Sequence, residues 1–387
     1  MANAEELKSD YDEAFEIKRT GWERQLRQGM LDLDFYFRAQ HTAEEAKKAE
    51  LQDRELYTFD YIGRQVDLLW GYEIKNRHVL KIGSQGKPSA EDKACSQHSG
   101  VLMNLMTMSN GYNVLSEAFK WGSLIQGSNL IEIWRDRNGD LQFSRLGWNQ
   151  FLLNPGLTKT DLSDCGDIAI GRWIDEERIK FLLPANSDEL DDISPLTNIS
   201  RWNFLEDPVL QNRAKRMLME EWWQKETEFE ETVISRATGQ EIPLKDFAAR
   251  FTNDDLRAAK RMVSESRLPN GAPALSRFSK PNDLIKLTIF VNNKMVFDGQ
   301  NPLKARDYNH IWVHGDWCAE CPRDEIKLQS FVRRLRDPQR ARNRRTNQIH
   351  DIIESQAHAL RIVRSDKLRN PEDAYKTGQG VVLHVED

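Results

Sequence analysis

Apolar residues along the chain alternate between helical and strand periods, and the mixture predicts an α+β fold. Val66, Leu69, Trp70 and Ile74 recur at helical spacing and predict a core helix over Tyr61–Arg77. Val101, Leu102, Leu105, Met106, Val114, Leu115, Ala118 and Phe119 form another apolar stripe, so 90–122 reads as helix divided at Asn110–Gly111. The period then drops to two. Asn129–Leu146 alternates apolar and polar residues on either side of Asn138–Gly139, which predicts a hairpin. A second hairpin is predicted for Leu284–Phe297 around Asn292–Asn293. Asn253–Ser264 reads as a short helix capped by Asn253, and Pro269, Pro273 and Pro281 mark a loop.

Three segments carry too few apolar residues to define a core face. Residues 5–50 read as charged helices, Ala4–Met30 and Thr42–Leu51, forming either a solvated peripheral arm or an arm packed on a neighbouring subunit. Glu206–Ile234 reads as a helix opening at Asp207–Pro208, with Glu220, Glu221, Glu226, Glu228, Glu230 and Glu231 in its second half. Ser330–Gln356 is the most distinctive. Asp337 as cap and Pro338 at the first helical position predict a rod of roughly 30 Å running to about Ala359. If the helix runs through Asp337, then Arg333, Arg336, Arg340 and Arg344 share one face, while Arg334, Arg342 and Arg345 charge the others. Its apolar residues, Ile349, Ile352 and Ile353, gather near the end, so it needs acidic neighbours, phosphate or both. The glutamate-rich segment is the obvious acidic counterpart, within one subunit or between two.

Composition narrows the choice. The chain has 387 residues, enough for two or more domains, with 39% apolar and 30% charged residues. Its net charge of −6 argues against a generic nucleic-acid coat, so the basic character is local. Four cysteines in this length make no disulfide framework and predict a reducing compartment. There is no apolar leader after Met1 and no run of eighteen apolar residues, so neither a signal peptide nor a membrane partner is expected.

Three patterns invite a chemical reading. His310, His314, Cys318 and Cys321 offer imidazole and thiolate to zinc at H-x3-H-x3-C-x2-C spacing, although a strand through IWVH would turn neighbouring ligands to opposite faces. Asp161, Asp164 and Asp167 would suit a divalent ion or, more simply, a polar turn. Gly83–Pro88 has two glycines and Lys87 but lacks the Walker spacing, so no nucleotide is expected. No cofactor is implied.

The segment VRRLRDPQRARNRRTNQIHDIIESQ resembles the VR-x-L-x-D-x-QR-x-x-N run of portal proteins from short-tailed bacteriophages, which form the ring at the capsid vertex. Gly71, Glu73 and Arg77 are similar to that family's G-x-E-x-x-x-R helix. Asn154, Pro155, Asp161, Ser163, Asp164 and Trp173 resemble its strand–turn–strand run, with Asn154 where many members have Asp. The resemblance implies a ring-forming portal fold with long stem helices, an α/β clip insertion and a wing domain. It divides the chain into an N-terminal wing region (1–205), a first stem helix (206–223), a clip (224–325), a second stem helix (326–360) and the start of a returning wing or crown segment (361–387), after which more chain usually follows in that family. It implies a non-enzymatic DNA conduit, dodecameric, whose partners are other copies of itself, the major capsid protein, scaffolding protein, terminase large subunit, tail adaptor and the double-stranded DNA in transit. On that basis Arg333, Arg336, Arg340, Arg342, Arg344, Arg345, Glu220, Glu221 and Glu226 are the expected inter-subunit or DNA-facing residues. Two other classes stand beside it: a metal-dependent DNA-processing enzyme using the His/Cys or Asp cluster, and a nucleic-acid-binding module using the arginine helix.

Overall fold

The computed structural model describes residues 4–51, 55–77, 81–83, 91–136, 138–182, 202, 216–235, 240–251, 255–267, 273–303 and 305–357. The chain opens with a long helix, α1 (Ala4–Tyr36), followed by α2 (Ala43–Leu51), α3 (Tyr61–Lys75), α4 (Glu91–Met108) and α5 (Gly111–Ala118). A π-helical segment, Phe119–Gln126, continues α5 and ends at Gly127, whose φ of 91° is the left-handed stop before the first strand. Strands β1 (Ser128–Arg135) and β2 (Leu141–Leu146) form the predicted hairpin, in register from Leu130↔Leu146 to Arg135↔Leu141. Beyond β3 (Phe151–Leu153), β4 (Asp167–Asp175) and α6 (Glu176–Leu182) come β5 (Arg216–Ser235) and β6 (Glu241–Pro243). Helices α7 (Leu244–Phe251) and α8 (Leu256–Glu265) lead to β7 (Leu275–Val291) and β8 (Lys294–Gln300). The chain then makes β9 (His310–His314), β10 (Asp316–Trp317), α9 (Asp324–Lys327) and β11 (Leu328–Gln329) before α10 (Phe331–Ala357).

Most strands fall in two sheets, a three-stranded one, β2-β1-β9, and a larger antiparallel one, β3-β4-β5-β7-β8 with β6 added to β5, and β10 and β11 form a short pair of their own. Asn292 (φ 46°) and Asn293 (φ 72°) make the turn of the β7–β8 hairpin, as their tolerance of the left-handed region predicts.

Helix α1 is not the solvated arm that its charge suggested. Tyr11, Phe15, Lys18, Trp22, Gln25, Gly29, Asp32 and Phe35 are buried along one face, close to a 4-3 spacing. Four of these positions are not ordinary apolar core residues, which hid the stripe. Each polar one is satisfied: Lys18 Nζ lies 2.6 Å from Asp167 Oδ1, and Gln25 and Asp32 meet arginines of α10. Tyr11, Phe15 and Trp22 belong to the main core between α1 and the two sheets, while Phe35 belongs to a second core with Ile62, Val66, Leu124, Ile125 and Val332. One helix therefore ties both cores together.

The helix expected over Glu206–Ile234, and with it the first stem helix at 206–223, is overturned where the chain is described. Residues 206–215, including Asp207–Pro208, lie outside the described residues, and Arg216–Ser235 is a strand. It pairs with β4 from Asp167↔Gln224 to Asp175↔Arg216, and with β7 from Met219↔Val291 to Ser235↔Leu275. The intrinsic helix preference of Glu, Met and Leu loses to a long partner on each side and to Trp222, Trp223, Thr227, Phe229, Val233 and Ile234, which suit a pleated surface. The expected boundary at 205/206 therefore parts β4 from β5 of one sheet, and the one at 223/224 cuts through β5 itself. Pro281, expected in a loop, sits within β7 opposite Phe229. Asp255, rather than Asn253, caps α8 by accepting from Arg257 N and Ala258 N.

The far end of the β5–β7 ribbon carries a small core of its own, Val233, Leu244, Phe247, Ala248, Ala259 and Val263, built by α7 and α8. Residues 358–387, including the strand-like VVLHVED, lie outside the described residues.

Candidate functional site

Helix α10 starts seven residues earlier than its Asp-Pro signal suggests. Ser330 Oγ accepts from Arg333 N at 3.0 Å and donates to Asp32 Oδ2 at 3.0 Å, so a buried tertiary contact fixes the cap. Pro338 falls inside the helix on an exposed position, forgoing one main-chain hydrogen bond, while Arg336 on Asp32 and Gln339 on Phe59 O anchor the helix to the body on either side.

The early start gives α10 the buried stripe that its sequence did not display. Val332 enters the second core with Phe331 and Leu335 partly buried beside it. Beyond that turn the stripe becomes polar. Gln339, Asn343 and Asn347 are buried at i, i+4 and i+8. Asn343 Oδ1 accepts from Phe59 N at 3.2 Å, and Asn343 Nδ2 donates to Gln40 Oε1 at 2.6 Å. Asn347 accepts from Tyr57 N and donates to Tyr57 O, both at 3.1 Å. Gln339 Nε2 donates to Phe59 O and, at 2.9 Å, to Asn343 Oδ1. Four helical residues rise about 6.0 Å and two extended residues about 6.6 Å. An i, i+4 amide ladder therefore matches the alternate residues of an extended strand, and α10 holds the segment 55–59 much as a sheet edge would. The amide spacing is visible in the sequence, but its partner segment is not.

The arginines divide into two groups. Arg333 and Arg336 face inward onto Asp32. Arg333 Nη2 lies 2.9 Å from Asp32 Oδ2 and Arg336 Nε 3.2 Å from Oδ1, with the Asp32 side chain 0% exposed. Arg333 Nη1 also donates to Gln25 Oε1 at 2.8 Å and to Leu328 O at 2.6 Å. Arg334 pairs with Asp316. The others face solvent. Arg340 lies over the Phe35 ring at 4.8 Å, and Arg342 over the Tyr61 ring at 3.9 Å. Arg340, Arg342, Arg344 and Arg345 are all exposed, and a groove of about 680 Å³ runs between Arg340 and Arg344 on one side and Glu45, Lys48 and Glu55 on the other.

The expected acidic partners lie elsewhere. Glu220 is buried and accepts from Trp202 Nε1 at 2.8 Å. Glu221 is buried and shares Arg172 Nη2 with Glu132, at 3.4 and 2.9 Å. Burial pushes the Glu221 carboxyl above its ordinary pKa, against the pull of Arg172. Glu226 faces Lys286 across the ribbon at 3.9 Å. Asp32, which sequence reasoning missed, neutralises the inward arginines instead, and no signal in its local sequence marked it.

The candidate metal ligands also separate. His310 is buried with its ring 4.9 Å from that of Trp223, and neither ring nitrogen has a partner among the described residues. Cys318 is exposed, Cys321 half-buried, and His314 Nδ1 lies 2.6 Å from Gly315 O. The three aspartates are committed separately: Asp161 accepts from Ser163 N and Asp164 from Thr158 N within a turn, while Asp167 opens β4 and holds Lys18. Of the Gly83–Pro88 segment, residues 84–88 lie outside the described residues.

The arginine-helix motif is thus a set of structural commitments, with Val332 in a core, Arg333 on Asp32, and Gln339 and Asn343 on the 55–59 segment. The sequence matches the phage P22-like portal protein family over residues 12–379. The chain belongs to that family. Membership makes this a phage portal protein, a structural component of the virion, and it covers both the α1–α10 contact and the two sheets. No curated protein matches the chain. Among the described residues, no helix is long and apolar enough to cross a membrane.

Proposed function

We propose that this portal protein closes into a ring, dodecameric as the family resemblance implies, that serves as the channel for DNA packaging and ejection in a short-tailed phage. The observation that carries the reading is the family match over 12–379 together with a long helix whose cationic residues are only partly neutralised within the subunit. Arg333 and Arg336 are held by Asp32, and Glu220 and Glu221 are engaged in their own subunit. The inter-subunit role therefore falls to Arg340, Arg342, Arg344 and Arg345, facing carboxylates of a neighbouring copy. DNA phosphate is the weaker candidate for these groups, because each neutralised phosphate adds salt-sensitive affinity that would retard a strand in transit. The α7–α8 lobe at the end of the β5–β7 ribbon is the part of 224–325 with its own core, which suits it to dock the terminase large subunit and later the tail adaptor. The major capsid protein and scaffolding protein are the remaining proposed neighbours, with assembly in the host cytoplasm.

Sedimentation of the purified protein, followed by negative-stain imaging, tests the reading. A closed ring of many copies is expected, and a chain that stays monomeric at high concentration would overturn it.

A further inference from the structure

With its two histidines placed elsewhere, what is left of the H-x3-H-x3-C-x2-C pattern is a dithiol. Cys318 and Cys321 occupy the corners of a tight turn: Cys321 N donates to Cys318 O at 3.2 Å, and Cys318 N is anchored on Lys327 O at 2.9 Å. A turn of this kind brings its end Cα atoms within about 7 Å, and a disulfide spans about 4.4–6.8 Å between Cα atoms. The thiols are placed differently towards solvent. Cys318 is exposed, whereas Cys321 is half-buried with Sγ 3.7 Å from Arg323 O. Cys165 is buried in the main core, so its thiol does not compete for reagents.

We propose that Cys318 and Cys321 form a reversible dithiol–disulfide site whose co-reactants are low-molecular-weight disulfides. The Cys318 thiolate attacks one sulfur of the reagent, forming a mixed disulfide and releasing one thiolate. Cys321, its proton lost to solvent, then attacks the Cys318 sulfur and expels the second thiolate. Two protein thiols are oxidised and one reagent disulfide is reduced to two thiols. The turn holds the second thiol beside the first, so the mixed disulfide is short-lived. Closing the pair locks the 318–321 turn at the start of the loop whose base is the β10–β11 pairing that leads into the Ser330 cap of α10.

The test uses the purified full chain and oxidised glutathione, with remaining thiols alkylated and the peptides weighed. The wild type is expected to lose both thiols of the Cys318–Cys321 peptide with no glutathione attached, while Cys321→Ser accumulates glutathione on Cys318. The folded chain is also expected to keep the disulfide against about tenfold more reduced glutathione than the urea-unfolded chain does. A stable glutathione adduct on wild-type Cys318 would overturn the proposal. So would thiols that stay alkylatable where Cys321→Ser is fully adducted, or equal resistance to reduction in urea.

Discussion

Arg333 closes on Asp32 across 301 positions of sequence, with Nη2 2.9 Å and Nε 3.0 Å from the same carboxylate oxygen. This contact fixes where the arginine helix begins, because Ser330 caps the helix while donating to that oxygen. Asp32→Asn keeps the shape but strands two inward guanidinium groups, 7% and 12% exposed. Removing one partner of a buried ion pair costs about 3–5 kcal/mol. Denaturant titration is expected to show a loss of that size, with α10 frayed at its start. A loss below about 1 kcal/mol would mean that water reaches the arginines.

Asn343 is the centre of the amide ladder. Asn343→Leu removes the acceptor for Phe59 N and leaves Gln40 Oε1 without its donor. A buried group left unpaired costs about 1–3 kcal/mol. Hydrogen exchange read by amide should show Phe59 losing protection, while Tyr57, bonded to Asn347, loses less.

His310 makes the fold acid-sensitive in a predictable window. Burial first, and the Arg172 charge second, lower its pKa from 6.5 to about 3. The folded chain therefore keeps the imidazole neutral while the unfolded chain takes up a proton below pH 6.5. Stability due to this group is full above that pH and is lost as the pH falls towards about 3, amounting to about 2 kcal/mol between pH 7.5 and 5. His310→Leu removes the titration without removing a hydrogen bond, since neither nitrogen has a partner among the described residues. Its stability should fall less than the wild type's over that interval; parallel pH profiles would show that the native pocket admits the proton.

The elements that the sequence predicted well are those with local signals. The Asn138–Gly139 and Asn292–Asn293 hairpins and the core helix through Val66 rest on residues a few positions apart. What was illegible depends on distant partners. The segment bearing Glu220 to Glu231 has helix-forming residues and becomes a strand because β4 and β7 flank it. The stripe on α1 passes for solvated surface because Lys18, Gln25 and Asp32 are polar, and only Asp167 and Arg333 reveal why they are inside. In the arginine helix the motif letters were recognisable, yet their division into inward and outward groups was not, because Asp32 is the residue that divides them.

That division yields the sharpest test of the assembly reading. Arg340 and Arg344 are exposed, and reversing both gives up the Arg340 contact with the Phe35 ring, worth about 0.5–1 kcal/mol, and the attraction of Arg340 for the Glu45 carboxylate, which is weak at a solvent-exposed position. Arg340→Glu with Arg344→Glu should therefore leave the fold intact by circular dichroism and denaturation. Arg333→Glu, placed against buried Asp32, should unfold the chain. If the outward pair meets carboxylates of a neighbouring copy, its reversal dissolves the ring in sedimentation and changes the affinity for DNA much less. Raising the salt concentration should weaken wild-type rings in the same direction, since exposed charges are screened beyond about 10 Å at 0.1 M. Intact rings that no longer bind DNA would instead assign these two guanidinium groups to the strand in transit.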